Sequence, residues 1–498
     1  MVTVVQSGAV EGIDGYPVEV EVDAGRGLPS FQIVGLPNTT VRESRERVLS
    51  ALRNSGLDIP KGRVVVNLQP SDVPKRGASF DLAIAIAVAM SGCFRKCVSC
   101  NPVLLGSLSL DGKLNRVRGL LSIVLAVAES GAKVVVVPKS QMQEAAMATG
   151  IKVFGASSVK EVFEWCVGGG NLETYSGPAR QAEKQKTPVG LIIPEYARRT
   201  VEIAAAGRCD LLLVGSPGVG KTTVARSLGM LQPALNLKDS IEVTRIHTAR
   251  GSKTVSTQNT RPFRAPHHTV TRAGLIGGGA ALSPGEVTLA HKGILFLDEL
   301  GEFKTGVLDA LREPMEEKSI SISRSTGICR WPADFQLIAA MNPCRCGYLG
   351  SSRKQCECRP GDISRYNSKL SGPFLDRIDM FYEMVEPKNW SIEVSNPVGD
   401  IVDRVGNAWK ILGNRNQRPT LKFCVGLLDL SCKNHLEKAR RGLDLSVRGV
   451  IRCVIVAQAI AALDSRVKIS TADLAEALGY RKELLAIKEN AAQVGAAF

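Results

Sequence analysis

Two periods of hydrophobic residues alternate along the first third of the chain. Val18-Glu19-Val20-Glu21-Val22 repeats every second residue, the pattern of a strand with one wet face. Pro37 to Ser55 sets Val41, Val48, Leu49 and Leu52 among charges and predicts a helix. Val64-Val65-Val66-Asn67-Leu68 and Val134 to Val137 read as buried strands, and Phe80 to Met90 as a helix apolar almost all round. The pattern then lapses over residues 168–188. Gly168-Gly169-Gly170 opens a polar stretch containing Gly177-Pro178, which predicts a flexible linker. Helical text from Glu195 to Ala206 follows. After it come three short apolar runs, Asp210 to Val214, Gly293 to Leu297 and Phe335 to Met341, each predicting a buried strand. The last hundred residues carry few turn breakers. A helix begins at Asp444-Leu445-Ser446, with Ser446 as N-cap, and runs through Val454, Ile455, Ala459 and Leu463; another starts at Thr471. The expected fold class is α/β. An α+β or α/β domain covers 1–167, the linker 168–188, a parallel-sheet domain 189–395 and a helical lid 396–498.

Chemistry gathers where these strands end. Gly215-Ser216-Pro217-Gly218-Val219-Gly220-Lys221-Thr222 fits G-x-x-x-x-G-K-[ST], with a strand before it and a helix from Thr223 after it. Glycines let backbone N–H groups curl around phosphate oxygens, and the helix N-terminus adds its positive end. Lys221 is expected to reach the β- and γ-phosphates and Thr222 to hold Mg²⁺. The second run ends in Asp298-Glu299. Asp298 is expected to hold Mg²⁺ through water, and Glu299 is expected to orient and activate the attacking water. The third ends in Asn342, an amide able to bond water and γ-phosphate together. Gly372-Pro373-Phe374-Leu375-Asp376-Arg377 then supplies an arginine beyond the fourth strand. Arg377 is either an arginine finger for a neighbouring subunit or a local partner of Asp376 or Asp379.

Two further segments carry candidate chemistry. Ser319 to Arg324 and Ile328 to Trp331 alternate around Thr326-Gly327 and predict a β-hairpin. Arg324, Arg330 and Trp331 on it either meet phosphate and bases or are an ordinary solvated face. Cys344-x-Cys346 and Cys356-x-Cys358 close a loop with no core of its own. They are either a tetrahedral Zn²⁺ site or four free thiols. Cys93, Cys97 and Cys100 have no evident fourth ligand and read as ordinary thiols.

Composition narrows the partners. The 498 residues are 44% hydrophobic and carry a formal charge of +15, so an anionic partner fits, though a merely basic soluble protein does too. No basic start followed by an apolar core marks a signal peptide, and Leu82 to Met90 is too short to span a membrane. Thirteen cysteines without a secretory signal point to reduced thiols or metal ligands and a cytoplasmic protein.

Strand and P-loop, strand and Asp-Glu, strand and Asn, then arginine is an order that resembles AAA+ ATPases. Arg261-Pro262-Phe263-Arg264-Ala265-Pro266-His267-His268-Thr269, Leu275-Ile276-Gly277-Gly278-Gly279 and Pro284 to His291 resemble the magnesium-chelatase branch. Pro74 to Asp81 resembles the nucleophile segment of Lon-type proteases, with Ser79 at the serine position. Gly106 to Leu121 resembles their lysine segment, with Leu121 where the lysine belongs. Leucine cannot take a hydroxyl proton, so a Lon-like domain without peptidase activity is expected, unless Lys113 serves instead. Over nearly its full length the chain is similar to the YifB/ComM family of magnesium-chelatase-like proteins. That resemblance implies ATP and Mg²⁺ as cofactors and a homo-hexameric ring that moves branched or single-stranded DNA in recombination and natural transformation. It puts the histidine pair in an insertion facing the ring's pore, the hairpin in the pore, and Arg448 at the γ-phosphate from a lid that swings. A chelatase-type subunit and a chaperone-like remodeller are the alternatives.

Overall fold

The computed structural model describes residues 2–36, 39–71, 73, 75, 77–93, 101–177, 193–251, 260–279, 283–324, 327–351, 354–385, 398–413 and 421–481. Part of the expected linker, 178–188, lies outside them, as do Cys97 and Cys100. The chain forms two compact units: Met1–Ala182 with Leu237–Gln258 and Ala281–Pro284, and Glu183–Asn236 with Asn259–Ala280 and Gly285–Phe498.

The first unit is built on a mixed sheet. Its strands are β1 (Val2–Glu11), β2 (Asp14–Gly25), β3 (Ser30–Val34), β4 (Arg63–Gln69), β5 (Val103–Leu104), β8 (Val134–Pro138), β9 (Lys152–Ala156) and β10 (Glu173–Thr174); β6 (Ser107–Leu108) and β7 (Leu114–Asn115) form a separate pair. The order is β10-β9-β8-β5-β1-β2-β4-β3. The period-two pattern of β2 is obeyed: Val18, Val20 and Val22 are buried between β1 and β4. Helices α1 (Thr39–Asn54), α2 (Asp81–Cys93) and α5 (Val159–Cys166) share one core with the sheet, and α3 (Leu120–Glu129) and α4 (Met142–Ala145) share another. From Asp81 to Ser91 every residue of α2 is buried. Its one charge is matched, because Arg47 grips Asp81 through two bonds of 2.9 and 3.2 Å, as a buried carboxylate requires.

One element of this unit comes from far along the chain. Helix α8 (Leu237–Arg250) follows the P-loop helix in sequence yet packs on α3. Val243, Ile246 and Ala249 are buried there. Arg245 Nη2 reaches Asp14 at 3.1 Å, and Arg118 Nε donates to the Ala249 carbonyl at 2.6 Å. A domain drawn as contiguous from residue 189 therefore places α8 differently from the contacts, because an amphipathic pattern names a buried face and not its partner.

The second unit is a five-stranded parallel sheet in the order β12-β15-β18-β11-β19. Its strands are β11 (Leu211–Gly215), β12 (Phe263–Arg264), β15 (Ile294–Leu297), β18 (Gln336–Met341) and β19 (Met380–Met384); β13 (Gly277–Gly278) is a two-residue strand outside that sheet, β16 (Ser319–Arg324) pairs with β17 (Gly327–Pro332) as a hairpin, and β14 (Ser283–Pro284) belongs to the first unit. β11, β15 and β18 are buried along their whole length, as continuous apolar runs predict. Helices α6 (Arg198–Gly207), α7 (Lys221–Leu231), α15 (Val398–Leu412), α16 (Leu421–Gly426), α17 (Leu430–Gly442) and α18 (Val447–Leu463) fill one side of it as a single core. Short helices α9 (Arg272–Ile276), α10 (Glu286–Leu289), α11 (Thr305–Asp309), α12 (Arg312–Glu317), α13 (Pro360–Asn367) and α14 (Gly372–Leu375) lie elsewhere in the unit.

The helices of the expected lid pack on the helix that precedes the P-loop strand. α15 and α18 pack on α6, Arg452 donates to Asp379 at 2.7 Å in the interior, and buried Arg481 donates to the Ile378 carbonyl at 2.6 Å. Ser446 caps α18 by accepting from the Gly449 N–H at 3.1 Å, as expected.

Candidate nucleotide site

Parallel strands present their C-terminal ends on one edge, and here four ends converge: the P-loop after β11, Asp298-Glu299 after β15, Asn342 after β18 and His267-His268 after β12. Residues Gly215 to Gly220 form the loop, and Lys221, Thr222 and Thr223 open α7. Gly218 and Gly220 hold φ of 85° and 89°, and a Cβ on either would point into open space. They therefore give the loop its curl and keep its concave side bare, as a phosphate cradle needs. The loop is held from outside as well. Tyr196 donates its hydroxyl to the Val219 carbonyl at 2.7 Å, and a Cβ on Gly347 would strike the Pro217 ring at 2.8 Å.

Lys221 Nζ donates to the carbonyls of Gly215 (2.6 Å) and Ser216 (2.9 Å) and to Asn342 Oδ1 (3.1 Å). Burial pulls this ammonium below the usual lysine range, against an upward pull from Asp298. Thr222 Oγ1 donates to Asp298 Oδ2 at 3.0 Å. Two oxygens about 3.0 Å apart are adjacent corners of an octahedron with 2.1 Å arms, so this pair fits Mg²⁺. Glu299 stands in the left-handed region at φ 52°, a strained backbone for a side chain with a Cβ.

Sequence reasoning missed one residue here. His268 Nδ1 lies 3.2 Å from Glu299 Oε2, and the His267 ring sits 4.1 Å from the His268 ring. The pair thus lies beside the acid strand's tip. The available signal was the short run Pro262-Phe263-Arg264 before it, which is a strand of the same sheet, next to β15.

Two expected site residues lie apart from this cluster. Arg377 is 7% exposed; its Nη1 donates to Pro373 O at 2.6 Å and its Nη2 pairs with Glu316 at 3.0 Å. Arg448 Nε pairs with the same Glu316 oxygen at 2.9 Å. Among the described residues neither has a hydrogen bond or ion pair with the P-loop or the acid strand; both close on Glu316. Arg377 does have a local acid partner, but it is Glu316 and not Asp376 or Asp379.

The hairpin forms with Ile320 opposite Trp331 and Ser321 opposite Arg330. The pleat turns Ile320 and Trp331 inward, and Trp331 is fully buried. It offers no stacking surface, which corrects its assignment to base contact. Arg330 stands on the exposed face and donates to Ser319 Oγ at 2.8 Å. The Arg324 side chain lies outside the described residues.

Directly after Asn342, the four loop cysteines converge. Sγ atoms of Cys344, Cys346 and Cys356 stand 3.3, 3.7 and 3.6 Å apart, and with Cys358 all four lie within 4.8 Å. Four sulfurs around one Zn²⁺ stand about 3.8 Å apart, so the cluster fits that ion. Backbone N–H groups of Tyr348 and then Glu357 favour the Cys346 thiolate and bring its pKa down to about 6. Cys93 instead donates to the Ala89 carbonyl of its own helix at 3.3 Å.

In the first unit, Ser79 donates its hydroxyl to Gly8 O at 3.0 Å, and Leu121 is wholly buried. Lys113 faces solvent and pairs with Asp111 at 2.8 Å, which raises its pKa and makes it a poorer base. Neither residue supplies an amine to Ser79.

Comparisons with known proteins give the family. The family described as magnesium chelatase, subunit ChlI, matches residues 191–392; its C-terminal part matches 397–481, and subunit ChlI of Mg-chelatase also matches 20–141. The uncharacterized protein YifB of Escherichia coli is 36% identical over 497 residues, covering 96% of this chain and 97% of that protein. The competence protein ComM of Haemophilus influenzae is 35% identical over 496 residues, covering 96% and 97%. A shorter match, 28% identical over 195 residues, covers 39% of this chain and 20% of the DNA helicase MCM8 of Mus musculus. Among the described residues no helix is long and apolar enough to cross a membrane.

Proposed function

The chain belongs to the YifB/ComM family of magnesium-chelatase-like AAA+ ATPases, and from that premise we propose that it is an ATP-hydrolysing ring motor acting on DNA, promoting branch migration or strand separation in recombination and natural transformation. The observation that carries the ATPase reading is the meeting of Lys221, Thr222, Asp298 and Asn342 at one sheet edge. The P-loop amides and Lys221 hold the phosphates; Thr222 and Asp298 hold Mg²⁺, which when bound supplies charge neutralisation at the β- and γ-oxygens. Glu299 orients the attacking water and receives its proton, and His268 fixes where that carboxylate points. Asn342 ties the Lys221 ammonium to the strand that leads into the cysteine loop.

Arg377 and Arg448 meet on Glu316 and act together on the site of the next subunit, which makes the ring, a hexamer on the family's pattern, the working form. Glu316 holds both until that neighbour's phosphates compete for them. The DNA reading rests on the +15 charge, on exposed Arg330 of the hairpin, and on relatives named a competence protein and a DNA helicase. In the cysteine loop, structural Zn²⁺ staples the segment that abuts Pro217. The first unit is a Lon-like fold whose hydrolytic chemistry is gone, since neither Leu121 nor Lys113 serves Ser79.

The test is the rate of ATP hydrolysis with and without single-stranded or branched DNA at low salt. The motor reading expects stimulation and binding; absence of both overturns it. Glu299→Gln is expected to keep ATP binding and lose turnover, and normal turnover in that variant removes Glu299 from its role.

A further inference from the structure

The first unit holds a cavity of about 300 Å³ that the nucleotide chemistry does not use. Its wall includes Glu11 at the end of β1, Ser79, Ser107, Arg116, Arg118 and Ala249 of α8. Its size lies at the small end of the range for small-molecule sites. Among the described residues no lysine lines it; the cations there are two guanidinium groups, which do not deprotonate and so bind anions without serving as bases.

The two arginines are fixed differently. Arg116 is spent on protein partners, with Nη1 on Ser140 O at 3.3 Å and Nη2 on Glu144 at 3.4 Å. Arg118 is held only through Nε, on Ala249 O at 2.6 Å. Among the described residues its two terminal nitrogens have no hydrogen-bond or ion-pair partner, and neither has the Glu11 carboxylate. A cation and an anion thus line one small cavity without an ion pair between them. Left facing water, such opposite charges gain little from each other; a ligand carrying both complementary charges gains from each.

We propose that this cavity binds a small zwitterion, a molecule of amino-acid or dipeptide size with one carboxylate and one ammonium. The carboxylate takes the bidentate fork of Arg118, the ammonium takes Glu11, and Ser107 adds a hydroxyl. Val10, Val117 and Ala78 give the ligand's body an apolar wall. Ser79 is a hydrogen-bond acceptor in this site, because its proton is already given to Gly8 O.

The full chain is titrated calorimetrically with a mixed dipeptide pool, with the same pool N-acetylated, with the pool as C-terminal amides, and with inorganic phosphate. The free pool is expected to bind and each blocked pool to bind at least tenfold more weakly. Arg118→Gln and Glu11→Gln, checked for an unchanged melting temperature, are expected to lose the free pool by at least tenfold. No binding by the free pool, equal binding of free and blocked pools, or binding of phosphate alone overturns the proposal.

Discussion

The contact between Gly347 and Pro217 joins the cysteine loop to the phosphate cradle, and Gly347→Ala tests it. Gly347 has φ 87°, so any residue with a Cβ carries a left-handed penalty of about 1–2 kcal/mol. The added methyl also meets Pro217 Cδ and Cγ at 2.8 Å, closer than carbons approach, and the proline ring cannot bend away. Overpacking of this kind costs about 1–3 kcal/mol. If half of the upper value falls on the P-loop's binding-ready shape, ATP affinity drops about tenfold. Gly350→Ala separates the two effects. Its φ is 76° and its Cβ meets nothing within 4 Å, so it carries the backbone penalty without the collision. The assay is fluorescent ATP-analogue binding beside thermal unfolding. Both variants should melt lower, but only Gly347→Ala should bind nucleotide more weakly. Equal affinities for the two variants would falsify the idea that the cysteine loop bears on the P-loop.

The remaining predictions concern the acid strand, the metal loop and pH. His268→Ala should lower kcat by between about 10- and 100-fold with ATP affinity within twofold, because it frees the Glu299 carboxylate; an unchanged kcat removes His268 from the site. Protein purified without chelator should carry one zinc per chain by atomic emission, and Cys356→Ser should lose the metal and weaken nucleotide binding as Gly347→Ala does; metal-free wild type retires the site. Asp334 is buried, which by itself raises its pKa, but Arg208, Lys318 and Lys292 outweigh that and hold its carboxyl far below the usual range. A depressed folded pKa contributes stability that is present above about pH 4 and lost as pH falls further. Asp334→Asn should therefore cost about 3–5 kcal/mol at neutral pH, by removing the carboxylate that three cations share, and flatten the acid limb of the stability curve. A parallel acid limb in the variant refutes it.

Much of the second unit was legible because its strands are buried on both faces. Ile294 to Leu297 and Gln336 to Met341 need no partner to be recognised, and their ends carry the chemistry. The hairpin was equally plain, but the side its tryptophan faces was not used. With two residues between Arg324 and Gly327, Ile320 must oppose Trp331, and a ring beside buried isoleucine is a core ring. Arg377 was readable as a candidate from its place beyond the fourth strand, and Arg448 only through the family resemblance. Their shared carboxylate was not, since Glu316 sits more than sixty residues before Arg377 and no local pattern links them. His268 escaped because a two-residue strand leaves too short a signal for periodicity.

The excursion of α8 has a consequence for how the polypeptide is made. A ribosome releases all ten strands β1 to β10 by residue 174, but the helix that covers α3 arrives only with residues 237–250, and the first unit's last piece with 283–284. The P-loop is synthesised in between. The nascent first unit must wait, with the outer face of α3 bare, while the strand and helix of a different unit pass the exit tunnel. A gene cut after residue 182 encodes that waiting state permanently, so it should yield a sticky, chaperone-dependent product, and adding back 237–258 as a peptide should rescue its solubility.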